Sequence, residues 1–239
     1  LNNCLAFQNC GQIALVKNKQ KTLPEVIQDT ISDSSLKEVS VSLGEIALDC
    51  FAEPGVIRDV PMIGSLLGLG KAALSVRDRL FMRKLGSFLH QLEPSSDKDR
   101  QSLIQRVNQS EEDTSYVGEK ILHLVERSED KQVAENLGRL FKKFLEREIN
   151  FHEFSIFSSI LTSLNNSDLV EFVQSDWDSL DADRSGQYQA HGLMVIDPPE
   201  VSVRDQDDWK NSAPYIVDSY PLSASLTERG KRMRALLSD

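Results

Sequence analysis

A chain of 239 residues, 40% hydrophobic and 27% charged, is long enough to bury a real core and suits one large domain or two small ones. Its net charge of −10 favours solubility and argues against attraction of the whole chain to nucleic acid or to an anionic bilayer, so any such attraction must be local. Cys4, Cys10 and Cys50 are odd in number, lie within the first 50 residues and form no CxxC, which suggests neither a disulfide scaffold nor a zinc module; a reducing cytosol fits them best.

Residues 1–24 are polar and mixed, group Lys17, Lys19 and Lys21 ahead of Pro24, and lack the basic start of a signal peptide. They read as a weakly structured segment. From 25 to 110 the pattern is helical. Pro24 suits a first helical turn, where its missing N–H costs nothing, and Val26, Ile27 and Ile31 follow at helical spacing. Asp33 or Ser34 heads a second helix through Leu36, Val39, Leu43, Ile46, Ala47 and Cys50, ended by the breaker Pro54-Gly55.

The stretch from Pro54 to Leu92 stands apart in an acidic chain. Val60 to Gly70 carries no charge, and Arg58, Lys71, Arg77, Arg79, Arg83 and Lys84 face only Asp59 and Asp78. Glycine costs about 1 kcal/mol relative to alanine in a helix interior, so Gly64, Gly68 and Gly70 need a reason; Gly64 and Gly68 form a GxxxG, which lets two backbones meet. The run is too short for a spanning helix, which takes ~20 apolar residues. From Leu74 onward Leu80, Phe81, Leu85, Phe88, Leu89 and Leu92 define the apolar side of an amphipathic helix, and Arg77, Arg79, Arg83 and Lys84 its polar side.

Beyond the Pro94-Ser95-Ser96 break, Leu103, Ile104 and Val107 mark one helical piece, and the segment 111–239 follows as a further helical region. Val117, Ile121, Leu124 and Val125 give a helix over Tyr116 to Arg127. A second runs from Asp130 to Arg147 with Val133, Leu137, Leu140, Phe141, Phe144 and Leu145 on one face. Asn150 begins a third, with Phe151, Phe154, Phe157, Ile160, Leu161 and Leu164. Asn166 or Ser167 caps a short fourth through Leu169, Val170, Phe172 and Val173. The period then changes: His191 to Ile196 and Tyr215 to Tyr220 are short β-like runs separated by a polar loop, and Ser225 or Thr227 caps a last helix. The fold class expected is mainly α, a helical N-terminal half followed by a winged-helix-like C-terminal module with a short β-ribbon.

The ending Leu226-Thr227-Glu228-Arg229-Gly230-Lys231-Arg232-Met233-Arg234-Ala235-Leu236-Leu237 resembles the last strand and helix of many bacterial winged-helix proteins. With the Asp59 to Leu89 phrase ahead of it, the chain resembles small bacterial proteins of unassigned function and, in loose layout, abortive-infection proteins of the alpha type. The resemblance implies a winged helix and a part in bacterial stress or phage defence, and it carries no catalytic residue.

Winged helices suggest DNA binding, which needs cations for phosphates and base edges. The expected recognition helix, Ser167 to Asp176, has Asp168, Glu171 and Asp176 and no cation, and the tail from Gln187 holds six cations against eight acids. Nucleic acid is therefore disfavoured as a partner, and a transcriptional regulator is the alternative function only. Asp181, Asp183 and Ser185, with Gly186, match the first half of an EF-hand loop, but the glutamate required at its twelfth position is replaced by Gly192, which makes calcium a weak candidate. His90, His123, His152 and His191 are scattered, with no HExxH, Walker A or GxSxG pattern. The expectation is a non-enzymatic, cofactor-free interaction protein, cytoplasmic or peripheral to the inner membrane. Its contact with an anionic membrane surface or a protein partner, a second copy included, falls to Gly64, Gly68, Lys71, Arg77, Arg79, Arg83 and Lys84. The competing reading makes the 54–92 segment a buried core helix.

Overall fold

The computed structural model describes residues 21–48, 75–109, 116–199, 201–205, 215–219 and 221–238. Helices α1 (Leu23–Ser32), α2 (Leu36–Leu48), α3 (Val76–His90), α4 (Asp97–Gln109), α5 (Tyr116–Arg127), α6 (Lys131–Leu145), α7 (Phe151–Leu161) and α8 (Asn166–Gln174) come first. A three-stranded antiparallel sheet, a separate two-stranded ribbon and a closing helix follow. The molecule is thus mainly helical, with a small sheet near its C-terminus.

Several helices begin where the sequence supplies a partner for orphan N–H groups. Ser75 Oγ accepts from Asp78 N ahead of α3, Asp130 Oδ1 accepts from Gln132 N and Val133 N ahead of α6, and Asn150 Oδ1 accepts from Glu153 N ahead of α7. The short α8 is capped by Asn165, one residue before the first of the two expected caps, its side chain accepting from Ser167 N at 2.9 Å. Asparagine at each neighbouring position left that choice open.

The buried faces meet in one core that runs from Val26 to Leu237. α3 lies between α2 and α6, while α1 packs on α4 and α5, so contacts cross residue 110 in both directions. At the α3–α6 crossing a Cβ on Gly138 would stand 2.6 Å from the Phe88 carbonyl oxygen, so the two backbones touch where no side chain fits. Around this crossing Phe88, Phe141, Phe144 and Phe154 pack ring against ring, with centroids 5.5 to 5.8 Å apart. Arg100 is 2% exposed and ties the first helices together. Its Nε donates to Ile31 O at 2.7 Å, its Nη2 to Asp33 O and Asp97 Oδ1, and its Nη1 to Ser95 O.

The C-terminal part differs from the expected ribbon. Strands β1 (Ser179–Asp181) and β2 (Met194–Ile196) both pair antiparallel with β5 (Ser223–Leu226), placing Val195 opposite Ser225. Between β1 and β2 lie a 3-10 turn, Ala182–Arg184, and the one-turn α9 (Gly186–Ala190). Between β2 and β5, β3 (Val201–Asp205) pairs with β4 (Tyr215–Ser219). The two expected β runs therefore belong to different sheets. The run at 191–196 pairs with β5, and the run at 215–220 pairs with β3, inside the supposed loop. The Val-Ser-Val-Arg alternation of β3 was overshadowed by flanking Pro and Asp, and the polar Ser-Ala-Ser-Leu of β5 offers too few residues to show a period.

The closing helix α10 (Glu228–Leu237) is headed by Thr227, whose Oγ1 accepts from Gly230 N and donates to Gly192 O at 2.8 Å. Gly230 presses on the Leu193 carbonyl, where any Cβ would collide. The Leu-Thr-x-x-Gly phrase is thus a clamp that fixes α10 against the turn before β2. Arg234 seals the other side, its guanidinium 4.9 Å from the Phe172 ring centroid and 4.6 Å from that of Trp177, with Nη1 donating to Trp177 O at 2.8 Å.

Candidate functional site

Gly64, Gly68 and Lys71 lie outside the described residues, as do the apolar run from Val60 to Gly70 and the Asp59 cap. The other four expected contact residues sit on α3, and the structure separates them. Met82, Leu85, Phe88 and Leu89 face the core. Leu80, expected on that side, points outward: Val76 is 74% exposed and Leu80 55% exposed. The reason is rotational. Positions 76, 80, 83 and 87 follow at intervals of 4, 3 and 4, so Leu80 shares a face with Arg83 and lies opposite Leu85 and Leu89.

Lys84 is not a free surface cation. Its Nζ donates to Glu126 O at 2.9 Å and Ser128 O at 2.8 Å, capping the carbonyl end of α5. Burial lowers its pKa against the opposing pull of Glu126. Arg77 reaches the same helix end by an ion pair with Glu126 at 2.5 Å, although its side chain is 85% exposed; such a pair is worth roughly 0–1 kcal/mol. Arg79 is half-buried, and its enclosed Nε has no hydrogen-bond partner among the described residues. Arg83 is exposed and makes no hydrogen bond or ion pair among them. The exposed strip of α3 is therefore Val76 and Leu80 flanked by Arg77, Arg79 and Arg83.

A second set of cations, not singled out from sequence, lies on α6. α6 carries Lys131, Arg139, Lys142 and Lys143 against one acid, Glu135. Gly138 brings α6 onto the C-terminal end of α3, at Phe88 and Gln91. His90 marks the junction: it lines a groove of about 270 Å³ with Arg83, Lys131 and Glu135, and a cleft of about 360 Å³ with Arg139, Lys142 and Lys143. The signal was present in the sequence, since a helix with four cations and one acid is unusual in a chain of charge −10.

The acid at the junction is already engaged. Glu93 accepts from Ser40 Oγ and pairs with His90 Nδ1 at 2.9 Å. Burial pushes its carboxyl up, yet the bonds from Ser40 and His90 and the nearby Lys37 outweigh that and leave its pKa below the usual carboxylate range.

The EF-hand-like residues are arranged otherwise. Asp181 ends β1, Asp183 lies in the 3-10 turn, and Ser185 is buried with its Oγ donating to Ala182 O and accepting from Gln189 Nε2. Gly186 starts a helix. Among the described residues no group of three or more His, Cys, Asp or Glu could hold a metal ion, and no helix is long and apolar enough to cross a membrane. No family model, curated protein or solved structure matches this chain.

Proposed function

We propose that this protein works by binding and not by catalysis, and that the exposed strip of α3 docks on an anionic membrane surface. The observation that carries the reading is the pairing of Val76 and Leu80, one helical turn apart and both turned to water, with Arg83 on the same face and Arg77 and Arg79 beside it. A helix lying in the headgroup region needs this combination: apolar side chains to enter the acyl boundary and cations to meet lipid phosphates. In sequence, the uncharged run Val60 to Gly70 leads into the strip.

The C-terminal part is best read as a winged-helix-like module used for packing. Support comes from the layout, in which helices precede a small antiparallel sheet, a ribbon extends between its second and third strands, and a helix closes the chain. DNA binding gains no support from α8, which carries Asp168 and Glu171, or from α9, which has no cation. An abortive-infection role follows only from the resemblance in sequence.

The test is co-sedimentation of the full chain with phosphatidylserine-containing and with phosphatidylcholine vesicles. Binding is expected only with the anionic vesicles, and is expected to be lost in Val76→Ser/Leu80→Ser and in Arg79→Glu/Arg83→Glu. A folded, monodisperse protein that leaves anionic vesicles untouched would overturn the proposal.

A further inference from the structure

The cleft at the C-terminal end of α3 is a different site from the α3 strip. Its walls are the turn at His90 to Pro94 and the flank of α6, and Leu236 of α10 also lines it. Arg139, Lys142 and Lys143 stand at i, i+3 and i+4, so all three project from neighbouring positions of one helical face. Arg139 is half-buried and makes no hydrogen bond or ion pair among the described residues. A guanidinium held in a concave site without an acceptor lacks the partner that its planar fork is shaped to meet.

Lys142 is only loosely paired, at 3.8 Å from Glu146, and Lys143 lies 3.4 Å from Glu148; both of those acids lie beyond the helix end. The one acid lining the cleft, Glu93, is held by Ser40 and His90. The cleft therefore presents Arg139 without an acceptor among the described residues and Lys142 with only a distant one. Its volume, about 360 Å³, falls at the small end of ligand sites. That is room for a phosphate and a short polar body.

We propose that this cleft binds a phosphomonoester dianion, with Arg139 making the bidentate contact and Lys142 and Lys143 supplying point charges to the remaining oxygens. A monoester is favoured over a diester because three cations line the cleft against one engaged acid, and a monoester offers two charges and three terminal oxygens to them. The phosphate could be carried by a soluble metabolite or by a phosphatidate headgroup at a membrane; the chemistry recognised is the same. The site rests on its own residues and not on the α3 strip.

The experiment is a calorimetric titration of the full chain with sn-glycerol 3-phosphate, run beside co-sedimentation with phosphatidate and phosphatidylserine vesicles of matched charge. Saturable binding of glycerol 3-phosphate is expected if the source is soluble, and a preference for phosphatidate over phosphatidylserine if the source is lipid. In either case Arg139→Gln should weaken binding at least about tenfold, the range of one charge-assisted hydrogen bond. Arg139→Lys should recover part of it, and Val76→Ser/Leu80→Ser should leave glycerol 3-phosphate binding unchanged. Circular dichroism checks that each variant folds. Absence of saturable binding to both probes overturns the proposal, and so does binding that Arg139→Gln leaves intact.

Discussion

Arg100 Nε donates to the backbone carbonyl of Ile31 at 2.7 Å, across 69 positions of sequence. The same guanidinium serves Asp33 O, Ser95 O and the Asp97 carboxylate, so one buried side chain closes the end of α1 and fixes the turn before α4. Replacing it with methionine keeps much of the volume but leaves three carbonyls short of a donor. Arg100→Met should cost about 3–5 kcal/mol, read as a fall in the urea midpoint. Arg100→Lys should recover only part of that, because an ammonium cannot span the same acceptors.

At Gly138 the constraint is steric and involves no lost hydrogen bond. A methyl group there would stand 2.6 Å from the Phe88 carbonyl oxygen and 2.9 Å from Gln91 Cβ, and the first of these is backbone that cannot swing aside. Gly138→Ala should destabilise by about 1–3 kcal/mol despite the better helix propensity of alanine. Gly44, in the interior of α2, has open space where its Cβ would be. Gly44→Ala should therefore stabilise by up to about 1 kcal/mol. Urea denaturation of the pair reads both signs in one host.

These positions also mark how far the sequence could be read. The long helices were legible because they bury stripes at 3.6-residue period, several behind a capping residue: Val133, Leu137, Phe141 and Phe144 behind Asp130 are one example. Strand pairing was not legible. β1 and β5 are three and four residues long and mostly polar, and β5 is tied to the two ends of β2 by the Asp197 carboxylate accepting from Ser223 and Ser225 and by the Thr227 clamp on Gly192 and Leu193. Such contacts leave no periodic trace. The candidate surface was legible in half: the basic residues of α3 stand out by charge. That Lys84 is spent on α5 carbonyls, and that α6 brings Arg139 alongside, depends on a helix crossing set by Gly138.

Tyr188 adds a pH signature. Its ring is buried against Phe172 and Trp177, and its hydroxyl donates to Asp168 O at 3.2 Å. Burial, with the carboxylates of Glu171 and Asp168 nearby, pushes its pKa up to about 12. The folded value is above the unfolded one of about 10, so the folded state holds the proton more tightly. This contribution is fully present below about pH 10 and is lost as pH rises toward 12, an effect on the order of 2–3 kcal/mol. Urea midpoints of the native chain should fall across that window more steeply than those of Tyr188→Phe. Parallel curves would show that the hydroxyl does not feel its burial.

Arg83 and Lys84 are neighbours in sequence with opposite expected outcomes. Lys84 closes the end of α5 through two carbonyls, whereas Arg83 faces water and lines the groove beside His90. Lys84→Met should lower stability by about 1–2 kcal/mol, the worth of a charged hydrogen-bond donor partly open to solvent. Its vesicle binding should fall only as its folded fraction falls. Arg83→Glu should keep its urea midpoint within about 0.5 kcal/mol of the native chain and yet lose binding to anionic vesicles. Both quantities come from one set of purified variants. If Arg83→Glu unfolded as readily as Lys84→Met, the arginine would belong to the packing of α3, and the strip would lose the cation that shares its face with Val76 and Leu80.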